Sequence, residues 1–165
     1  MKKGVIFDLD QTLVDSSIAE AYRGKNWAKV NELIPQFVLY EGFKQVLDFI
    51  RLNDIKIAIV STSVSNYVYR VLNHFSIPYN VVVAYHDVNH RKPNPEAMIK
   101  ALTKLSLNAD DVISFGDKST DIQASNSANI ASVACLWGTN EKEALLNVYP
   151  NFVINKPTEI MTLLV

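Results

Sequence analysis

The sequence predicts an α/β protein built on one parallel sheet that is covered by helices on both faces. Short apolar runs with strand character alternate with segments whose apolar residues recur at helical spacing. The first run is apolar at consecutive positions, as expected for a strand buried on both faces of a parallel sheet. Prolines punctuate the junctions, and the chain contains no internal repeat or low-complexity tract.

The elements follow one another regularly along most of the chain. Six strands are expected, at Gly4–Leu9, Ile55–Ser61, Asn80–Tyr85, Asp111–Phe115, Ala131–Leu136 and Phe152–Ile154. Between them, apolar residues share one helical face in three sets: Phe43, Val46, Leu47 and Ile50; Tyr67, Val68, Val71, Leu72 and Phe75; and Ala97, Met98, Ala101, Leu102 and Leu105. Strands joined by helices in this way form right-handed βαβ units.

The segment from about 16 to 40 is the exception, because its apolar residues recur only loosely and Gly24 and Pro35 interrupt it. We expect one or two short helices outside the sheet, so that residues 1–165 form a single domain with a short helical insert at about 16–40. The aromatic residues of the insert are expected either to pack on the edge of the sheet or to contact a substrate. The candidates for substrate contact are Tyr22, Arg23, Lys25 and Trp27.

Composition bounds the possible functions. The 165 residues are 48% hydrophobic and 20% charged, with a formal net charge of −1, which gives no reason to expect nucleic acid or an anionic membrane as a partner. The apolar run after Met1 is too short for a signal peptide or a membrane span, so we expect a cytoplasmic protein. The single cysteine, Cys135, lies in an apolar stretch and is expected to be buried and inert.

The first strand leads directly into two carboxylates, Asp8 and Asp10. Residues i and i+2 of an extended segment point the same way, so both would face one spot beyond the carboxyl end of the strand, where open α/β sheets place their ligands. Two ionised carboxylates at that separation repel unless a cation lies between them or one carries a proton. The pair therefore indicates a hard-metal site, an acid–base pair, or both.

Two further polar sites lie between predicted strands and helices. Ser61 and Thr62 come at the end of the second strand, where a hydroxyl and free backbone N–H groups suit a phosphate oxygen; alternatively, they cap the helix that follows. Lys92 precedes a predicted helix, where the helix dipole disfavours a cation. Its placement calls for a nearby anion, and the alternative is a solvated lysine at a helix start.

The fourth predicted strand also runs into carboxylates. Gly116 permits a tight turn, Asp117 follows it directly, and Asp121 comes four residues later. Asp121 alone is also explained as an acid favoured by the positive end of a helix dipole. Asp117, at the end of a strand, is harder to explain without a ligand.

These four segments resemble, in order, the motifs of the haloacid dehalogenase superfamily of phosphohydrolases. The resemblance rests on Asp8-Leu9-Asp10-Gln11-Thr12-Leu13-Val14-Asp15-Ser16, Ser61, Lys92-Pro93-Asn94-Pro95 and Gly116-Asp117-Lys118-Ser119-Thr120-Asp121. Downstream, the chain resembles the phosphoglycolate-phosphatase-like branch at Asp121-Ile122-Gln123-Ala124, at Trp137-Gly138 and at Phe152-Val153-Ile154 followed by Pro157. The likeness thus covers nearly the whole chain except the insert. It implies a three-layer Rossmann-like fold. Gln11 is a departure, since the family most often has Gly there, and we expect its side chain to point away from the phosphate.

The resemblance also implies catalytic roles. Asp8 would be the nucleophile that forms an aspartyl-phosphate, and Asp10 would protonate the leaving oxygen and later deprotonate the hydrolytic water. Asp8, Asp117 and the backbone carbonyl of Asp10 would hold Mg²⁺. Asp121 would support the water shell of the metal and Lys92, whose charge would compensate the carboxylates and the phosphoryl group.

The phosphoryl group would be bound by Ser61, Thr62 and Lys92, and Thr12 would orient Asp10 through a hydrogen bond. The expected function is Mg²⁺-dependent hydrolysis of a small phosphomonoester. Asp10 favours phosphoryl chemistry over carbon–halogen cleavage, which has no leaving alcohol to protonate. A phosphomutase would need a closing cap to exclude water, and the insert is small beside the caps of related phosphatases.

Alternatives remain open at this point. Because the site would be open, a phosphorylated macromolecule could be the substrate, or a partner or a second copy of the chain in a homo-oligomer could complete the site. A different class of function is a non-catalytic phosphate-binding regulatory module. The intact set of carboxylates and Lys92 disfavours this last reading.

Overall fold

The computed structural model describes all residues, Met1–Val165, and confirms the α/β fold class. The main sheet has six parallel strands, in the spatial order β5 (Val81–Val83), β4 (Lys56–Val60), β1 (Gly4–Phe7), β6 (Val112–Gly116), β7 (Ala131–Cys135) and β8 (Phe152–Ile154). All six predicted runs form strands, with ends within two residues of the prediction. Cys135 is buried, as expected.

Seven α-helices accompany the sheet. They are α1 (Trp27–Leu33), α2 (Phe43–Leu52), α3 (Ser65–His74), α4 (Glu96–Leu105), α5 (Ser119–Ser127), α6 (Lys142–Leu146) and α7 (Ile160–Leu164). The three helical faces predicted from the sequence belong to α2, α3 and α4. None of the helices combines the length and the apolar character that crossing a membrane requires.

Helices cover both faces of the sheet, and a hydrophobic core lies between the sheet and the helices on each face. Val5 and Phe7 of β1 belong to the core shared with α2 and α3, whereas Ile6 belongs to the core shared with α4. Alternate residues of a strand point to opposite faces, so burial on both sides requires apolar residues at consecutive positions. This explains why the first strand is apolar throughout instead of alternating.

The register of the central strands positions the polar residues that follow them. β1 lies between β4 and β6, and Phe7 is level with Ile59 of β4 and with Phe115 of β6. Three polar residues therefore emerge at one edge of the sheet: Asp8, Ser61 and Asp117.

The insert between β1 and α2 lies outside the main sheet. It contains α1, whose N-terminus is capped by the Asn26 side chain, and two 3₁₀ turns at 17–19 and 34–36. The sequence predicted short helices here but not the antiparallel pair of β2 (Val14–Asp15) with β3 (Val38–Leu39), which joins the two ends of the insert. Strands of two residues are too short to show a period-two pattern.

Candidate active site

Three carboxylates converge beyond the carboxyl ends of β1 and β6. Asp8 follows β1, Asp117 follows β6, and Asp121 lies in the first turn of α5. One oxygen from each lies within 4.8 Å of the others. The backbone N–H of Asp8 donates to the carbonyl of Phe115 (3.1 Å), so the strand ladder extends past β1 and fixes Asp8 beside the end of β6.

Lys92 reaches this cluster from the loop before α4. Its Nζ lies 3.1 Å from Asp8 Oδ1 and 2.6 Å from Asp121 Oδ1, and it also donates to the carbonyl of Val60 (3.0 Å). The side chain is only 3% exposed. Burial lowers the pKa of Lys92, but the charges of Asp121 and Asp8 outweigh that effect and keep the pKa above its ordinary value. Lys92 is therefore a buried cation and not a solvated lysine at a helix start.

Asp121 is fixed through both carboxylate oxygens. While Oδ1 accepts from Lys92, Oδ2 accepts from the backbone N–H groups of Asp117 (3.1 Å) and Lys118 (3.0 Å). A Cβ at Gly116 would overlap the Asp121 side chain, so the turn after β6 requires glycine for close approach. Asp121 is thus an acid in the first turn of α5, where the helix dipole favours it, and it also contacts Lys92, so both explanations that the sequence offered apply.

Two carboxylates of the cluster, Asp8 and Asp117, hold protons more tightly than isolated carboxylates do. Burial raises the pKa of Asp8, and the charge of Asp121 raises it further against the opposing effect of Lys92. Burial also raises the pKa of Asp117, with added repulsion from Asp8 and then Asp121. The site therefore favours binding of a proton or another cation.

Asp10 directs its carboxylate to a different set of partners. Oδ1 accepts from the hydroxyls of Ser16 (2.6 Å) and Tyr67, and Oδ2 lies 2.8 Å from Arg23 Nη1. Tyr67 belongs to α3 and is buried, whereas Arg23 belongs to the insert and its side chain is 16% exposed. Asp8 and Asp10 thus face the same cavity, but their carboxylates contact different groups.

The prediction that Thr12 orients Asp10 is corrected by the structure. The Thr12 hydroxyl donates to Asp117 Oδ1 (3.1 Å), and Ser16 occupies the position beside Asp10. The chain turns immediately after Asp10, with the N–H of Leu13 donating to the carbonyl of Leu9 (3.0 Å). That turn directs Thr12 toward the end of β6.

Gln11 stands in this turn with a left-handed backbone conformation, φ 63°. Such a conformation favours glycine, which explains why the family that the motif resembles most often has glycine at this position. Its side chain accepts from the Ser16 N–H through Oε1 (2.9 Å). The side chain is thus engaged with the start of the insert.

Ser61 and Thr62 follow β4 on the other side of β1. Ser61 is buried and its hydroxyl accepts from the N–H of Ser63 (3.1 Å), so it takes part in the turn before α3. Thr62 is exposed. Both residues line the same cavity as Asp8 and Lys92.

That cavity has a volume of about 900 Å³ and a mostly polar lining. It brings together every predicted site residue except Thr12: Asp8, Asp10, Ser61, Thr62, Lys92, Asp117 and Asp121. Among the candidates from the insert, Arg23 and Trp27 line it, whereas Tyr22 and Lys25 do not. Trp27 also packs against the ring of Tyr67, with 5.3 Å between ring centroids.

Sequence reasoning did not identify Ser16 and Tyr67 as site residues. Ser16 lies at the end of the first motif, and Tyr67 fits the apolar face of α3, so each had an ordinary structural explanation. The contact of Tyr67 with Asp10 joins residues 57 positions apart, for which the sequence carries no local signal.

Comparisons with known proteins relate the chain to one family of hydrolases. The family model described as haloacid dehalogenase-like hydrolase matches residues 18–135, a segment that contains Ser61, Lys92, Asp117 and Asp121 and begins after Asp8 and Asp10.

Among individual proteins, pyrophosphatase PpaX of Oceanobacillus iheyensis is 26% identical over 158 residues, which are 94% of this chain and 72% of that protein. Pyrophosphatase PpaX of Listeria welshimeri is 27% identical over 144 residues, 86% of this chain and 65% of that protein. The chain thus spans about two thirds to three quarters of their length. A solved structure, a phosphonoacetaldehyde hydrolase like protein from Oleispira antarctica, matches with a TM-score of 0.85 at 15% identity, covering 99% of this chain and 91% of that chain.

Proposed function

This chain belongs to the haloacid dehalogenase-like hydrolase family, and we propose that it is a Mg²⁺-dependent phosphatase that hydrolyses a phosphomonoester through an aspartyl-phosphate on Asp8. One observation carries the proposal. Asp8 lies at a strand end in an open cavity, 3.1 Å from the buried ammonium of Lys92. A carboxylate nucleophile beside a fixed cation suits attack on an anionic phosphoryl group.

The charges of the site fit a divalent cation. Six carboxylates and three cations line the cavity, so that negative charge remains uncompensated when all are ionised: Asp8, Asp10, Asp15, Glu20, Asp117 and Asp121 against Arg23, Lys92 and Lys118. A hard divalent cation, bound by carboxylate oxygens, would offset part of this excess.

The hydrogen bonds indicate which carboxylates would bind the metal. Both oxygens of Asp121 are already engaged, whereas Asp8 and Asp117 each keep one oxygen to which no protein donor is bonded. We therefore assign Asp8 and Asp117, with the backbone carbonyl of Asp10, as ligands, and Asp121 as a supporting residue. Bound Mg²⁺ would neutralise charge and polarise the phosphoryl group.

The residues of the chain account for both halves of the reaction. Asp8 attacks phosphorus, the bond from phosphorus to the ester oxygen breaks, and Asp10 donates a proton to the leaving oxygen. Water then attacks the aspartyl-phosphate, gives its proton to Asp10, and releases orthophosphate and free Asp8. Lys92 and Ser61, with Thr62, hold the phosphoryl oxygens throughout.

A small phosphorylated compound is the substrate that the cavity of about 900 Å³ supports best. The relatives named pyrophosphatase make inorganic pyrophosphate a specific candidate beside phosphomonoesters. A phosphorylated macromolecule, or a partner that covers the cavity, is the alternative for the same chemistry.

Phosphate release from a panel of small phosphomonoesters and pyrophosphate, with Mg²⁺ and with EDTA, tests the proposal. We expect Mg²⁺-dependent release that is abolished in Asp8→Asn and retained in Asp48→Asn, which makes the same chemical change on the exposed face of α2. Release that persists in Asp8→Asn would remove Asp8 as the nucleophile. Phosphate binding by the wild-type protein without turnover on any ester would favour the regulatory module instead.

A further inference from the structure

Asp10 is held by side chains from three parts of the fold, which we call the Asp10 bracket: Ser16, Arg23 and Tyr67. Ser16 ends the first motif, Arg23 lies in the insert, and Tyr67 lies on α3. The three side chains contact different oxygens of the Asp10 carboxylate. Ser16 and Tyr67 donate to Oδ1, and Arg23 contacts Oδ2.

The division of contacts indicates which oxygen meets a substrate. Arg23 and Asp10 line the cavity, whereas Ser16 and Tyr67 do not. Oδ1 is therefore anchored on the interior side, and Oδ2 lies on the side of the cavity. With both oxygens engaged, the carboxylate cannot rotate freely, so its direction toward the cavity is fixed.

Tyr67 and Arg23 each remove a polar group from most of its contact with water, at an energetic cost that packing does not explain. The ring of Tyr67 packs against Trp27 and Phe37, where phenylalanine would serve equally well, and the hydroxyl donates to Asp10. Arg23 is largely buried and forms its one ion pair with Asp10. Burying a hydroxyl or a guanidinium is unfavourable unless a partner compensates it, and here the partner of both is Asp10.

We propose that Tyr67 and Arg23 are positioning residues that act through Asp10, fixing Oδ2 as the oxygen that exchanges a proton with the leaving group and then with water. This inference rests on the proposed phosphatase function. It gives the insert a role in the reaction, because Arg23 belongs to the insert.

The proposal predicts a dependence on the leaving group. An alkyl phosphate releases a basic alkoxide that needs a proton from Asp10, whereas p-nitrophenyl phosphate releases a stable phenolate that does not. The ratio kcat/KM reports the steps up to release of the alcohol or phenol. For the aryl ester, kcat also includes hydrolysis of the aspartyl-phosphate, in which Asp10 acts as the base. Loss of positioning should therefore lower kcat/KM for alkyl esters only, and lower kcat and KM together for the aryl ester.

Tyr67→Phe is the cleanest test, since it removes one hydroxyl and keeps the ring. The matched control is Tyr69→Phe, two residues along α3, where the tyrosine is 40% exposed and packs on Tyr79. With the alkyl ester that the wild-type protein hydrolyses fastest, we expect kcat/KM to fall about tenfold in Tyr67→Phe, which is a part of the ~10²–10⁴ that general acid–base catalysis contributes. With p-nitrophenyl phosphate we expect kcat/KM to stay unchanged while kcat falls. Tyr69→Phe should match the wild type on both esters, and all three proteins should melt at similar temperatures.

Arg23→Gln gives a second arm, with Lys25→Gln, an exposed neighbour in the insert, as control. The same pattern is expected, and Arg23→Lys should recover part of the alkyl activity because it restores a cation beside Oδ2. Two results would overturn the proposal. One is an equal fall in kcat/KM for the alkyl and the aryl ester in Tyr67→Phe or Arg23→Gln, and the other is an unchanged kcat/KM for both esters in both variants. A rise in KM alone on both esters in Arg23→Gln would also overturn it, because it would make Arg23 a substrate contact. Failure of the wild-type protein on every ester is a separate outcome, which would overturn the phosphatase function and this inference with it.

Discussion

Replacing Lys92 by methionine should destabilise the metal-free protein severely. The side chain is 3% exposed and its ammonium serves three acceptors: Asp8 Oδ1, Asp121 Oδ1 and the carbonyl of Val60. Methionine has a similar length and fills most of the same space, so the substitution tests the charge more than the packing. What remains is a buried cluster of carboxylates without its cation.

The magnitude follows from the geometry of the pair. Removing one partner of a buried ion pair costs about 3–5 kcal/mol, because the other charge is left uncompensated. Lys92 faces two carboxylates, but Asp8 already has a raised pKa through burial and the charge of Asp121, so it takes up a proton readily. One uncompensated charge is therefore the appropriate count. For a chain of this size the loss corresponds to about 6–20 °C in Tm.

Urea unfolding in EDTA measures this loss, with Lys104→Met on the exposed face of α4 as the matched control. Adding Asp121→Asn to Lys92→Met should return part of the lost stability, a coupling of about 0.5–3 kcal/mol in a double-mutant cycle. The deficit of Lys92→Met should also shrink at acidic pH. Asp8 and Asp117 have folded-state pKa values above their unfolded ones, so they stabilise the fold at low pH and lose that contribution as pH rises.

Two results would refute this reasoning. One is a Lys92→Met protein within about 1 kcal/mol of the wild type, far below the cost of an uncompensated buried charge. The other is strict additivity of the Lys92 and Asp121 substitutions, which would mean that the two charges do not interact.

Neighbouring residues of the site give further expectations. Thr12→Val removes the hydroxyl that donates to Asp117 (3.1 Å), and it should raise the Mg²⁺ concentration for half-maximal phosphate release by about 10–100-fold; an unchanged requirement would separate Thr12 from the metal site. Gln11→Ala and Gln11→Gly both lose the hydrogen bond from the Ser16 N–H, but only alanine is strained at a φ near 63°. The unfolding free energy of Gln11→Gly should therefore be about 1 kcal/mol larger than that of Gln11→Ala, and equal values would contradict backbone strain at this position. In EDTA, stability should fall as pH rises from the ordinary carboxyl range through the raised pKa values of Asp8 and Asp117, because the folded state binds these protons more tightly. Mg²⁺ should oppose the fall, since it binds the deprotonated carboxylates, and Tm against pH with and without Mg²⁺ checks this.

The sequence was sufficient to predict the parts of the site that depend on local order along the chain. Asp8 and Asp117 each follow an apolar strand directly, and parallel strands end at one edge, so their convergence needs only the strand prediction. Lys92 was identified because Lys92-Pro93-Asn94-Pro95 resembles a family motif, and its unfavourable position against a helix dipole, which implied an anion nearby, supported this. The structure places that anion at Asp121 and Asp8.

The sequence could not predict which hydrogen-bond donor contacts each carboxylate oxygen of the site. Thr12 is two residues from Asp10 yet donates to Asp117, 105 positions away, because a tight turn redirects the chain after Asp10. Tyr67 belonged to an apolar helical face, and its ring does pack in the core. Only the tertiary packing of α3 against the insert shows that its hydroxyl reaches Asp10.

The insert bears on the choice between hydrolysis and phosphoryl transfer to a second substrate. A cap that excludes water must close over the site and reopen, which requires that it separate from the domain without exposing a core. Val30, Ile34 and Phe37 of this insert are buried in the same hydrophobic core as α2 and α3. Exposing them would cost about 1.5–3 kcal/mol each, so a swinging motion of the insert is strongly disfavoured. In the proposed reaction, water would therefore reach the aspartyl-phosphate on Asp8 without waiting for a lid to open, which favours hydrolysis over transfer.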